Sequence, residues 1–168
     1  GYEVKSLEDL KYESEIKEIG LTLEENALIK VRTIFHKFKK NCFAEDSGLE
    51  VFALGGRPGV YSARYAGNEK NTENNTKKIL HELKGIENRH ARFRSVFALI
   101  FNQTEHLFEG IIRGQISMYP IGNHGFGYDP IFIPEKQEIT FAQMSLAEKN
   151  KISHRSRAFK KLVEFIKC

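Results

Sequence analysis

Apolar positions recur along the chain in two rhythms, and the switches between them divide it into elements. Leu23, Ala27, Leu28, Val31, Ile34, Phe35 and Phe38 return every three or four residues, the period of a helix with one buried face. Thr22 followed by Glu25 supplies a capping box at its start, and the stripe runs out around Lys40-Asn41. Cys42-Phe43-Ala44 and Leu49-Glu50-Val51-Phe52 read as two short strand pieces around a Ser47-Gly48 turn. Glycine and proline mark Leu54 to Gly59 as a loop. A weaker helix runs from Asn71 to Leu83, with Ile79, Leu80 and Leu83 inward and Gly85 at its end. Ala91 to Phe101 then alternates through Phe93, Phe97, Leu99 and Phe101, and Leu107 to Tyr119 follows a short polar turn. Together they predict a hairpin. The glycine-rich stretch Gly122 to Pro130 leads into a short strand at Ile131-Phe132-Ile133. Ser145 and Glu148 form a second capping box, opening a helical region that reaches Ile166 with or without a break. Tyr2-Glu3-Val4 looks like the tail of a strand, as though the chain began in mid-element. The pattern predicts one α/β domain over residues 1–168, an elongated mixed β-sheet flanked by helices.

Composition narrows the class. A chain of 168 residues can bury one sizeable core, and 29% charged with 40% hydrophobic residues is ordinary for a globular protein. No apolar run approaches the roughly 20 residues that span a membrane. Gly1 to Lys5 is neither a basic nor an apolar leader, so a cytoplasmic location is expected. Cys42 and Cys168 lie too far apart for a disulfide framework or a zinc pattern. The net charge of +4 raises nucleic acid as a partner. Cations and acids are interspersed, however, until Lys149, Lys151, Arg155, Arg157, Lys160, Lys161 and Lys167 face the single acid Glu164. Such an excess suits a small anionic ligand as well as a polymer.

Four groups of residues carry candidate chemistry, each with a plainer reading beside it. Glu45-Asp46-Ser47-Gly48 places adjacent carboxylates after an apolar segment, as Mg²⁺ bound through one or two carboxylates and substrate phosphates requires; an ordinary acidic turn has the same composition. Glu13, Glu15 or Glu18 could complete such a site, Glu18 ahead of Gly20 being preferred, although most of these acids suit a solvated loop. Gly125-Phe126-Gly127-Tyr128-Asp129 sets aromatics among glycines, either to stack on a base or to plug the core. Lys149, Ser153, His154 and Arg155 suit an anion or a base edge, against a solvated basic face. Lys30 is a phosphate ligand or a snorkelling surface lysine.

In series, these segments resemble the inosine/xanthosine triphosphate pyrophosphatase family. The matching stretches are Thr22 to Lys30, Phe43 to Val51, Leu54 to Gly67, Gly125 to Pro130 and Glu148 to Arg155, all in the family's order. The resemblance implies two α/β lobes around a central cleft, a homodimer, and Mg²⁺-dependent cleavage of ITP, dITP or XTP to the monophosphate and pyrophosphate. It implies Asp46 as general base and metal ligand, Ser47 and Lys30 as substrate contacts, and Phe126, Gly127, Tyr128 and Asp129 as the base pocket. Lys149, His154 and Arg155 would complete the nucleotide site, and Glu18 and Glu45 would assist with the metal. Arg155 is then a natural partner for O6 of a 6-oxo purine. The sequence departs from the family in having Glu45 where Asp is frequent. It also lacks the family's N-terminal strand and Ser/Thr-Gly-Asn-x-x-Lys phosphate loop, as an N-terminally truncated chain would. Two alternatives are an inactive truncated form of the same enzyme and a basic module binding single-stranded nucleic acid through Phe126 and Tyr128.

Overall fold

The computed structural model describes residues 2–167, so Cys168 lies outside them. Helix α1 spans Leu23–Phe38, where Thr22 Oγ1 accepts the Glu25 N–H at 3.1 Å. The reciprocal half of the expected box is displaced by one residue, because the Glu25 carboxylate accepts from Leu21 N at 2.6 Å. Lys39, in the left-handed region at φ 54°, ends α1 just before Lys40-Asn41.

Strand β1 is one continuous element, Cys42–Val51, rather than two pieces around a turn. Ser47 and Gly48 have turn chemistry, but both are paired in the ladder, opposite Ser95 and Arg94. The glycine serves a close approach instead: a Cβ on Gly48 would stand 2.3 Å from the Gly59 carbonyl oxygen. Helix α2 spans Thr72–Glu82, capped by the Asn71 side chain on Asn74 N. Strands β2 (His90–Phe101) and β3 (Thr104–Ile116) form the expected hairpin. Its two turn residues, Asn102 and Gln103, both take positive φ, as a tight hairpin compatible with sheet twist requires. Strand β4 (Phe132–Pro134) pairs with the end of β3. The sheet order is β1-β2-β3-β4, and every described pairing is antiparallel. Tyr2-Glu3-Val4 forms no strand. The C-terminal helical region is broken: Ser153 is extended (ψ 153°) between α3 (Leu146–Ile152) and α4 (His154–Lys167).

Strand alternation sends alternate residues of β2 into different clusters. On one face Val96, Ala98 and Ile100 pack with Leu23, Ala27 and Val31 of α1. On the other Phe97 and Leu99 meet Ala158 and Leu162 of α4. A third cluster, around Leu49, Ile79, Phe93, Ile112, Phe132 and Phe141, fills the opposite end of the sheet. Arg94 ties α1 to β1 and β3 through Glu24, Glu50 and Glu109. Helix α4 lies hard against β3, since a Cβ on Gly110 would come within 2.0 Å of the His154 carbonyl oxygen and 2.5 Å of Ala158 N. The first turn of α4, with His154 and Arg155, is thereby held against the sheet.

Candidate functional site

The candidate residues gather on both sides of β1. Successive side chains of a strand point to opposite faces. Cys42 and Ala44 pack toward α1, and Asp46 continues that row. Phe43, Glu45 and Ser47 point toward α4, where the Phe43 ring lies 6.0 Å from Phe97 and 6.1 Å from Phe159. The adjacent carboxylates of Glu45 and Asp46 therefore belong to different sites.

On the α1 side, Lys30 Nζ stands 2.7 Å from Asp46 Oδ1 and 2.9 Å from Glu18 Oε1. Burial raises the Asp46 pKa above the usual aspartate value, the Glu18 charge adds to the rise, and Lys30 opposes it as a hydrogen-bond donor and a positive charge. Burial alone would lower the Lys30 pKa, but Asp46 and Glu18 together raise it. Glu18 is held twice, its side chain by Lys30 and its carbonyl oxygen by Arg64 Nη2 at 3.3 Å. Asn26 is fully buried; its Oδ1 accepts the Gly20 N–H at 2.8 Å, while its Nδ2 makes no hydrogen bond of ordinary geometry. Glu13 and Glu15 are exposed and take no part.

Two carboxylates converging on one cation are a donor set that fits Mg²⁺, which needs few protein oxygens when phosphates and water supply the rest. Among the described residues no three His, Cys, Asp or Glu side chains are grouped to cage a metal by themselves. Glu45 does not join Glu18 and Asp46: it lies across the sheet, accepting from Ser95 Oγ at 2.8 Å and Arg155 Nε at 3.0 Å. Strand geometry, invisible when the segment is read as a turn, separates the neighbours.

On the α4 side, Phe97, Phe126, Lys149, His154, Arg155 and Phe159 line a cavity of about 500 Å³. Arg155 Nη2 also donates to Ser47 Oγ at 3.3 Å. The exposed Phe126 ring lies over Lys149 and Arg155, with centroid distances of 4.6 and 5.2 Å. Lys149 is not a solvated cation; its Nζ is 2.5 Å from Asp129 Oδ2, and Asp129 also accepts the Phe126 N–H at 2.9 Å. Gly125 and Gly127, at φ 78° and 61°, let this loop turn one aromatic outward and the next inward. The inward one, Tyr128, is a core residue whose hydroxyl donates to the Ser62 carbonyl at 2.7 Å. Burial, with the charges of Arg155 and Lys149, pushes the His154 pKa down to about 3, so its imidazole is neutral. The ring stacks on Phe93 at 4.7 Å and 9°, and its Nδ1 is buried without a hydrogen-bond partner.

Ser95, Asn26 and Arg64 were not singled out by sequence. Ser95 had a signal, as the one polar member of the row Phe93, Ser95, Phe97, Leu99. Asn26 had one too, being polar on the buried face of an amphipathic helix. Arg64, at the end of a loop, had none.

Known proteins resemble this chain along nearly its whole length. The Ham1 family model matches residues 1–165. The dITP/XTP pyrophosphatase of Christiangramia forsetii is 49% identical over 98% of this chain and 86% of its own length. That of Bacillus subtilis is 48% identical over 100% of this chain and 86% of its own. Among solved structures, the Staphylococcus aureus Ham1 protein superposes with a TM-score of 0.94 at 41% identity, covering 99% of this chain and 87% of that one. This chain belongs to the Ham1 family.

Proposed function

We propose that this protein hydrolyses non-standard purine nucleoside triphosphates (ITP, dITP and XTP) to the monophosphate and pyrophosphate, removing them from the nucleotide pool. The observation that carries this reading is the division of β1: Asp46, with Lys30 and Glu18, faces one side, and an aromatic and cationic pocket faces the other. Triphosphate and base need such different surroundings. The names of the Christiangramia forsetii and Bacillus subtilis relatives support the substrate class.

In this mechanism Asp46 accepts a proton from the water that attacks the α-phosphorus. The bond from that phosphorus to the bridging oxygen breaks, and pyrophosphate leaves. Lys30 Nζ, 2.7 Å from Asp46 Oδ1, holds the carboxylate in place for this. Mg²⁺ held by Asp46 and Glu18 would supply charge neutralisation at the phosphates. Lys30 supplies a second positive charge there, and Ser47 is a substrate contact on the opposite face of β1. On the pocket side, Phe126 offers a face for the base, and Arg155 donates to O6 of hypoxanthine or xanthine. Adenine presents a donor at that position and would leave the guanidinium unpaired, which is a strong basis for rejection.

The basic C-terminal run is a poor stripe for nucleic acid. Arg157 and Lys161 donate to the carbonyls of Ile111 and Glu109, while Lys149 and Arg155 pair with Asp129 and Glu45. No helix among the described residues is long and apolar enough to cross a membrane. We place the enzyme in the cytoplasm as a homodimer, which light scattering of the purified chain tests. For the activity, pyrophosphate release from ITP and from ATP is compared with Mg²⁺ and with a chelator. Turnover of ITP that vanishes with chelator and greatly exceeds that of ATP is expected; equal turnover of both, or none, overturns the proposal.

A further inference from the structure

Buried Ser95 and half-buried Glu45 lie against Arg155 on the face of the sheet away from Asp46, and this placement has a use. Ser95 is fully buried in β2, and its Oγ donates to Glu45 Oε1 at 2.8 Å. The same oxygen accepts from Arg155 Nε at 3.0 Å. Ser47, opposite Ser95 in the ladder, accepts from Arg155 Nη2 at 3.3 Å. The relay thus runs from the rigid centre of the sheet through a carboxylate to a guanidinium at the pocket mouth. We propose that Glu45, fixed by Ser95, is a positioning residue for Arg155 and thereby sets selection for the 6-oxo purine, with no part in metal binding.

An arginine side chain has a long, flexible stem, and a hydrogen bond to one atom of a base is selective only if the donor is already aimed. Holding Nε and Nη2 fixes the guanidinium plane and leaves Nη1 without a protein partner among the described residues, in a side chain that lines the pocket beside Phe126. Charge acts in the same sense. With Glu45 alongside, Arg155 carries little net charge to attract a phosphate, and what remains is directional donation to a neutral carbonyl oxygen. Phosphate attraction is left to the opposite face of β1, where Lys30 lies.

The inference rests on the proposed pyrophosphatase reading, so its test includes binding without turnover. Wild type, Glu45→Ala, Glu45→Gln and Arg155→Ala, with the double variant Glu45→Ala/Arg155→Ala, are compared in three measurements. These are kcat and KM for ITP and ATP, the Mg²⁺ concentration for half-maximal rate, and calorimetric binding of inosine monophosphate without metal. Glu45→Ala should raise KM for ITP about 10–100-fold, narrow the preference for ITP over ATP and weaken monophosphate binding, with kcat changing far less. Glu45→Gln keeps an acceptor oxygen and should restore most of the loss. In the Arg155→Ala background, Glu45→Ala should cost nothing further. The Mg²⁺ requirement should be the same in wild type and both Glu45 variants. Loss of kcat relieved by added Mg²⁺ makes Glu45 a metal ligand and overturns the inference, as does an unchanged ITP preference in Glu45→Ala. A wild-type chain that binds inosine monophosphate but turns over no ITP overturns the catalytic reading alone and leaves the binding arms to decide the role of Glu45.

Discussion

Replacing Lys149 by Met should destabilise this protein more than replacing its partner Asp129 by Asn, because the two ions are buried unequally. The side chains are 11% and 3% exposed, and their charged atoms lie 2.5 Å apart. Removing the lysine strands a carboxylate with little water and, among the described residues, only the Phe126 N–H as donor. Breaking a buried pair in this way costs about 3–5 kcal/mol. Removing the aspartate charge instead leaves an ammonium beside the faces of Phe126 and Phe141, at 4.6 and 5.3 Å. Each such contact returns about 0.5–2 kcal/mol, so Asp129→Asn should cost about 1–3 kcal/mol. The double variant, with no stranded charge, should cost less than the sum of the two. For a chain of this size, each kcal/mol moves the melting temperature by about 2–4 °C, so Lys149→Met should melt at least about 6 °C lower. Urea unfolding monitored by tyrosine fluorescence and circular dichroism checks the order and the non-additivity. A Lys149→Met protein within about 1 kcal/mol of wild type would mean that the pair is effectively solvated, as exposed pairs are. Lys149 would then be free to serve phosphate directly, and the argument for a buried pair bracing the Phe126 loop would fail.

Three further outcomes follow from the same geometry. Asp46→Asn should lower kcat for ITP by about 10²–10⁴-fold without loss of thermal stability near neutral pH. Burial lifts the folded-state pKa of Asp46, which weighs against the fold when the group is ionised, whereas Asp46 and Glu18 raise that of Lys30, which favours it; the two oppose each other, and Lys30 keeps Glu18 at 2.9 Å in the variant, so a markedly less stable variant contradicts this. Gly110→Ala should cost about 1–3 kcal/mol or more, because the new methyl meets α4 backbone at 2.0 and 2.5 Å, and an unchanged urea midpoint would show that α4 is not seated as described. His154 should stay neutral from pH 8 to pH 5 by NMR, its pKa being pushed down to about 3. The unfolded chain binds that proton and the native one does not, so stability from this group is lost as pH falls from about 6.5. An imidazole titration midpoint near the ordinary histidine value overturns it.

What the sequence showed clearly was whatever depends on a local period. The α1 stripe, the hairpin strands and the Ser145 capping box are repeated signals, and the structure places each within a few residues of the expectation. Ser47-Gly48 was illegible for a reason of kind: its turn chemistry is local, whereas its actual role is set by Gly59, eleven residues on, and by β2. The same limit applies to Glu45. No local rule tells a turn carboxylate from a strand carboxylate, and only the strand answer sends it to the other face from Asp46. Tyr128 and Phe126 are a third case, since composition offers two aromatics for one pocket and burial decides between them. Conversely, the convergence of Lys30, Glu18 and Asp46 could not be read from spacing, yet residue type, local context and the family resemblance had singled out each of the three.

Since the two sites share one strand, the register of β1 against β2 is itself a functional quantity. A slip of one residue turns every side chain of a strand to the opposite face. Asp46 would leave Lys30 for the face that carries Arg155, and Glu45 would turn to the α1 face. Pairing alone guards poorly against this, because the central stretch Glu45-Asp46-Ser47-Gly48 has little apolar pattern to hold it. Gly48 supplies what is missing. The Gly59 carbonyl oxygen lies where its Cβ would be, at 2.3 Å, and Ser62 Oγ would stand at 3.0 Å. A slip in either direction brings Ser47 or Leu49 to that spot, and both carry a Cβ. Ser62 closes the lock by donating to the Gly59 carbonyl at 2.6 Å and accepting from Leu49 N at 2.9 Å. The loop after β1 thus fixes which face each carboxylate occupies, and a glycine that looks like a turn residue keeps Asp46 with Lys30 and Glu45 with Arg155.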